Sequence, residues 1–422
     1  MSIVLKLTPR DPLIARDGRP FGMGQGLRMK SLDWPYPSVL AGSLRSYLFK
    51  REKAKAIEDH QNFNYRDTVE SLKQINIAGP LPYFNGQLYL PAPKDLLVYE
   101  DEDNGNKRRL MVLRPEEPPE GGGCDLPDGL WPVSVTKEAK PAKSPAFWSM
   151  AKMTYWLLGQ DLEKLVPPEN PTPTSGFLDA PGKDERMHVS IDADTYTAKD
   201  GMLFKTVGLD MTVNTQERRG SLNPHFAAEP LALSARVEAS GDWRNKLEQL
   251  STSRPLLHPL GGERRLVRWE TVRNDKAWQC PTDLTKAFQA LTTGQGVRLV
   301  LATPGIFQQG WLPDWIDCTN GWKGIPPGST VELQLIGACV ERWKPISGWG
   351  LENGKVGPKA IRRLVPAGSV YFFKVTQGSA AELLDKLWLR SVADGDEDDG
   401  QSRRDGFGLA LWGLWNPQQG GN

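Results

Sequence analysis

The chain has 422 residues, which at about 150 residues per domain predicts two or three domains and excludes a single small module. Its 39% hydrophobic and 24% charged residues are globular proportions and argue against wholesale disorder. The 52 Lys and Arg against 51 Asp and Glu leave a net charge of +1, so no global positive field exists and any polyanion site has to be a local patch.

Along the chain, Ile3, Leu5 and Leu7 alternate as in a half-buried strand. After a Gly-rich passage, Ser38 following Pro37 opens a predicted helix whose apolar face is Val39, Leu40, Leu44, Tyr47 and Leu48. Residues 82–90 read as two strand runs around Asn85-Gly86, a dipeptide suited to a hairpin turn. Residues 99–146 then run from the acidic Glu100-Asp101-Glu102-Asp103 through a Pro- and Gly-rich stretch to Lys140-Pro141, which predicts a long, partly disordered insertion. Helical periodicity resumes from Phe147 to Leu158, and a Pro-rich spacer runs from Val166 to Gly176. Strands are expected at Met187 to Ile191, Met202 to Val213 and Leu231 to Ala239.

The second half predicts a strand at Arg264 to Val272, a helix at Asp283 to Thr292, and strands at Val297 to Thr303, Val331 to Val340 and Ser369 to Val375. A helix at Ala380 to Ser391 and a strand at Phe407 to Trp415 complete it. Apart from one additional strand this is a β-α-β-β-α-β order, and the first half fits the same plan. The expected fold class is α+β, two tandem ferredoxin-like (RRM-like) βαββαβ domains. They are residues 1–245, carrying the insertion at 99–146, and residues 246–422, with a glycine-rich loop at 405–413.

Neutralising phosphates takes Lys and Arg that are close in space, and the basic residues collect in four blocks. The first is Arg10, Arg16, Arg19, Arg28 and Lys30; the second is Arg264 and Arg265 after Gly261-Gly262-Glu263, with Arg268. The third is Lys355, Lys359, Arg362, Arg363 and Lys374, and the fourth is Arg403-Arg404-Asp405-Gly406-Phe407-Gly408. In three of them glycine stands beside arginine, which lets N–H groups and guanidinium forks reach one phosphate without an intervening Cβ. Exposed Arg and turn Gly are also ordinary surface features, so it is the four blocks together that point to a polyanion such as RNA.

Other chemistries find little support. Gly22-Met23-Gly24-Gln25-Gly26 lacks the dinucleotide spacing, and Gly406 to Gly413 carries no Gly-Lys-Ser/Thr. Cys124, Cys280, Cys318 and Cys339 form no close pair, and His60, His188, His225 and His258 stand at no metal-ligand spacing; no cofactor and no metal is expected. His188, before Ser190 and Asp192, is the one candidate general base. Asp394 to Gly400 imitates a calcium loop but has Asp399 where glycine is required. Of the 15 Trp most belong to cores, while Trp311, Trp315, Trp322, Trp343 and Trp349, near Gly and Pro, include one or two expected contact residues. Lys6 and Pro9 interrupt any signal-peptide pattern, and a cytoplasmic protein without a membrane span is expected.

Six segments carry a family resemblance: Asp11 to Phe21, Pro37 to Arg45, Leu260 to Arg265, Thr303 to Pro313, Arg363 to Phe373 (most specific in Val365-Pro366-Ala367-Gly368-Ser369-Val370-Tyr371-Phe372) and Asp405 to Gly413. Together they resemble the crRNA-handle-binding RAMP subunit of the type III-B (Cmr) CRISPR effector complex. The resemblance implies two ferredoxin-like domains and a role in holding the 5′ handle of the guide RNA. It further implies pairing with the large polymerase-like subunit, contact with the backbone RAMP subunits, and no catalysis in this chain. The expected RNA-binding set is Arg16, Arg19, Arg45, Arg264, Arg265, Lys359, Arg362, Arg363, Arg403 and Arg404, with N–H groups at Gly406 and Gly408. The rival expectations are a RAMP endoribonuclease that processes guide precursors through His188, and a purely structural assembly subunit with no RNA contact of its own.

Overall fold

The computed structural model describes residues 2–16, 31–119, 121–135, 137–160, 162–215, 228–251, 256–272, 276–352, 355–358, 360–395 and 400–417. The first half contains β1 (Ile3–Pro9), α1 (Pro37–Glu58), α2 (Tyr65–Lys73), β2 (Asn76–Phe84), β3 (Gln87–Pro91), β4 (Leu96–Asp101) and β5 (Lys107–Val112). It continues with β6 (Phe147–Ser149), α3 (Met150–Leu157), β7 (Phe177–Leu178), β8 (Gly182–Ile191), β9 (Ala198–Asp210), β10 (Ala232–Glu238), α4 (Gly241–Glu248), β11 (Leu256–Pro259) and β12 (Leu266–Val272). The second half holds α5 (Thr282–Gln289), β13 (Gly296–Leu301), β14 (Glu332–Cys339), β15 (Arg362–Val365), β16 (Val370–Gln377), α6 (Ala381–Leu387), α7 (Gln401–Asp405) and β17 (Ala410–Trp415).

Two antiparallel sheets organise these elements. The first runs β11-β12-β1-β10-β2-β3-β6-β7, and the second ends in β14-β16-β13-β17. Four strands of each sheet follow one order, β2-β10-β1-β12 in the first and β14-β16-β13-β17 in the second. In chain terms that is second, third, first, fourth, with α4 or α6 leading into the last strand of its sheet. β12, expected to begin the second half's pattern, instead pairs with β1, Leu7 opposite Trp269. Its alternating Val267 and Trp269 fit the face of either sheet, and only the tertiary pairing decides between them. In the second sheet the connection from β13 to β14 holds three two-residue strands and a 3-10 turn but no α-helix, and α5 precedes β13.

The first sheet is covered on both faces. Leu5, Leu7, Ile77, Leu233 and Ala235 pack with Leu40, Leu44 and Leu48 of α1 in one core. The opposite face contributes Val4, Leu81, Leu88 and Ala232 to a second core that also holds Val297, Leu299, Tyr371, Phe373 and Trp412 of the second sheet. Accordingly six of the seven residues of β10 are buried, Ser234 and Arg236 among them. α1 opens one residue before the expected Ser38: Tyr36 is its extended N-cap and Pro37 takes the first helical position, where a fixed φ and a missing N–H are harmless.

The insertion forms regular structure through residue 115 and pairs again at Val133–Ser134. β4 and β5 form a hairpin, and Arg114–Pro115 pairs with Val133–Ser134. Trp131 N–H donates to the Ile336 carbonyl at 2.7 Å, and the Trp322 indole donates to the Asp128 carbonyl at 2.8 Å. Gly337 leaves room for Pro115 and the Trp131 carbonyl, each 3.0 Å from where a Cβ would stand. The segment therefore straps onto β14; its composition reads as disordered because a few scattered aromatic and proline contacts, not a periodic apolar face, anchor it.

Candidate nucleic-acid interface

The first half of α1 is the centre of the basic segments. On one side, the loop after β11 crosses the chain just after β1: Ile14 bridges Gly261, and Gly262 N–H donates to the Ile14 carbonyl at 2.6 Å. A Cβ on Gly261 would lie 2.3 Å from that carbonyl, and its φ is +79°, so glycine is required for the crossing. Glu263 and Arg264 follow in left-handed conformations, which turn both side chains out to solvent. Glu263 pairs with Arg16, and Arg265 is half-buried. Ser43 of α1 donates to the Pro259 carbonyl at 2.6 Å, and Val39 borders Gly261. Arg16, Arg264 and Arg265, distant in sequence, are thus brought together.

On the other side of α1 lies α7. Arg45 donates to the Leu72 and Ile75 carbonyls, both at 3.0 Å, and pairs with Asp405. Arg362 donates to the Ser402 hydroxyl at 2.9 Å, Arg403 donates to the Ala393 carbonyl at 2.5 Å, and Arg404 is half-buried on the same helix. Arg363 points elsewhere, its guanidinium 5.1 Å from the Trp343 ring. Arg19 and Lys359 lie outside the described residues.

The glycine-rich loop corrects one expectation. Gly406 N–H donates to the Arg403 carbonyl and Gly408 N–H to the Pro304 carbonyl, so neither faces outward to take a phosphate. Their φ values are +99° and +68°, and a Cβ on Gly406 would stand 2.5 Å from the Ile77 carbonyl of β2. Gly406 lets the second half pack against the first half's backbone, and Gly408 lets the loop pass the backbone at Ala393. Arg45 crosses the same seam through Asp405, while its other donors hold the end of α2 within the first half.

Sequence reasoning missed a cleft of about 250 Å³ at that seam, lined among others by Arg236, Glu238, Lys386, Arg390 and Arg403. Arg236 donates to the Leu389 carbonyl at 2.8 Å and lies over Trp278, while Glu238 pairs with Arg390. Burial pushes the Glu238 carboxyl up, yet the arginines beside it hold it below the usual carboxylate range. The one signal was Arg236, a lone charge in the apolar run Leu231 to Val237.

His188 sits on the β8–β9 ribbon, stacked on Phe204 and 2.8 Å from the Thr206 hydroxyl, as a cross-strand pair does. Asp394 accepts the Gln308 and Asp314 N–H groups at 2.8 and 3.0 Å and so serves a loop junction; residues 396–399 of the calcium-like stretch lie outside the described residues. Trp315 and Trp322 donate to the Val392 and Asp128 carbonyls, whereas Trp311 and Trp343 are exposed. Among the described residues no helix is long and apolar enough to cross a membrane.

Residues 5–415 match the family model of the CRISPR-associated protein Cas_Cmr3. The chain belongs to the Cas_Cmr3 family. This Cas_Cmr3 member is a RAMP-like subunit of a type III-B CRISPR effector of the Cmr kind. It is similar at 14% identity and TM-score 0.44 to a chain in the type III-B Cmr-beta complex bound to cognate target RNA and AMPPnP, covering 87% of this chain and 86% of that one. It is also similar to a chain of the Csm3-Csm4 subcomplex of a type III-A interference complex, at 11% identity and TM-score 0.41, covering 98% and 100%. No curated protein matches it. The Cas_Cmr3 match spans all six segments that carried the resemblance.

Proposed function

We propose that this chain anchors single-stranded guide RNA, specifically the 5′ handle of crRNA, beside the first half of α1 and without catalysing a reaction. The large polymerase-like subunit and the backbone RAMP subunits are its proposed partners. The observation that carries this is the gathering of Arg16, Arg264 and Arg265 on one side of α1 and of Arg403 and Arg404 on the other, in a member of a CRISPR effector family. The shared strand order of the two sheets supports reading each as a ferredoxin-like unit. RNA would then lie along loops and the α1 end, because both faces of the first sheet are covered.

The test is equilibrium binding of a labelled handle RNA across a salt series. Arg264→Ala, Arg265→Ala and Arg404→Ala are each expected to weaken binding, and loss of one phosphate contact lowers the salt slope by about 0.7 for single strands. Unchanged affinity and slope in all three variants would refute the site. Incubation with precursor RNA without metal is expected to leave it intact; specific cleavage abolished by His188→Ala would establish the endoribonuclease instead.

A further inference from the structure

Beyond α1, a second basic feature lies on the small sheet formed by Gly305–Ile306, β15 and Lys344–Ile346. Ile346, Leu364 and Val365 are buried and fix these strands to the body of the protein. Pro345 stands opposite Arg363, and Trp343, two residues before Pro345, falls on the same face. Trp343 is nonetheless 46% exposed, with the Arg363 guanidinium 5.1 Å from its ring centroid. Arg362, one residue earlier, turns the other way to Ser402, so the pair on β15 serves two faces.

The charges around the ring are one-sided. Arg342, Lys344 and Arg363 are exposed, and none of the three forms an ion pair among the described residues. The adjacent carboxylate, Glu341, is held by Lys94 at 2.9 Å. An exposed indole held beside a guanidinium and flanked by uncompensated cations has the composition of a base-stacking platform, where the ring takes a nucleobase and the cations take its phosphates. A protein partner would be expected to bring carboxylates to the same cations; an aromatic plane open to solvent adds what a base needs and a carboxylate does not.

We propose that Trp343, with Arg363, is a stacking platform for one unpaired base of a single-stranded RNA, with Arg342 and Lys344 contacting the flanking phosphates. The proposal rests on the RNA-anchoring reading above and extends it to a site away from α1.

The full-length chain is titrated by fluorescence anisotropy with a labelled single-stranded RNA and with an abasic strand of equal length. Trp343→Ala is expected to weaken binding of the base-bearing RNA about tenfold, as loss of one stacked base does, and to leave the abasic strand unaffected. Trp343→Phe, which keeps an aromatic face, restores most of the affinity. Because Trp343 is exposed, a thermal melt is expected to show the variant folded. Arg363→Gln is expected to weaken binding and flatten the salt dependence. Wild-type affinity in Trp343→Ala, or equal losses on both strands, overturns the platform. Intact RNA binding with loss of capture by a purified partner subunit overturns it in favour of a protein-docking face. If Arg264→Ala and Arg404→Ala weaken binding while Trp343→Ala does not, only this proposal falls; if the wild type binds neither strand, both fall.

Discussion

At the scale of single residues, the most consequential contact between the halves is an ion pair. Asp95, between β3 and β4, and Arg298 of β13 meet at 2.9 Å with side chains 1% and 4% exposed. The Trp156 indole donates to Asp95, and the Arg298 guanidinium lies 4.0 Å from the Trp156 ring. Burial pushes the Asp95 carboxyl up and the Arg298 guanidinium down, and each opposes the other's shift. Arg298→Met leaves a buried carboxyl without its counterion and is expected to cost about 3–5 kcal/mol in denaturant unfolding. The double change Asp95→Leu/Arg298→Met is expected to cost less than that single change, since no uncompensated charge remains. Such a pair is not legible in the sequence, because nothing in Pro93-Lys94-Asp95 announces a partner two hundred residues away.

His258, three residues before Gly261, gives a pH-dependent prediction. Burial between Tyr47 and Trp269 holds its imidazole below the usual histidine value of 6.5. The unfolded chain therefore takes up a proton before the folded one does, so stability is lost as pH falls through about 6.5 and is unaffected above it. The drop in melting temperature between about pH 7.5 and about pH 5.5 is expected to be shallower in His258→Phe, which keeps the ring contacts and removes the proton site.

At the scale of elements, patterns with a strong local cause were legible. The Asn85-Gly86 turn adopts positive φ at both residues, as the hairpin of β2 and β3 requires. The expected strands at 297–303, 331–340 and 369–375 correspond to β13, β14 and β16 within a few residues. What stayed hidden has weak local signals: α2 depends on an Asn64 cap that accepts the Asp67 N–H, and α7 is five residues long. The strap across β14 was hidden for the same reason, since its composition shows the exposed parts and not the anchors. Limited proteolysis is expected to nick it first within residues 121–129, all exposed, and to spare β4, β5 and the Trp131 anchor. The two fragments are expected to stay together on a sizing column; cleavage starting in β4 or β5 would contradict the strap.

At the scale of the whole molecule, the two halves share a core. Val4 and Leu81 from the first sheet and Leu299 and Phe373 from the second belong to one buried cluster, and Arg45–Asp405 and Gly406 on β2 close the seam. Calorimetry is therefore expected to show one unfolding transition, not two, and Gly406→Ala is expected to lower its midpoint by displacing α7 from the Ile77 carbonyl. The tandem layout invites the opposite expectation of two independent units, because sequence pattern reports which face of a strand is apolar but not which surface will cover it. The same limit applies to the basic blocks. Their membership was legible, whereas their division into outward groups such as Arg264 and seam groups such as Arg45 depends on neighbours far along the chain.

The pairing of Val4 with Val272 across β1 and β12 sets a constraint on synthesis. β1 leaves the ribosome before its partner β12, which emerges only after α4 has been made. Until then β1 carries a bare row of N–H and C=O groups, the kind of edge that invites pairing with another nascent chain. A cell making this protein has to shelter that edge until the stretch between Pro9 and Leu266 has been translated.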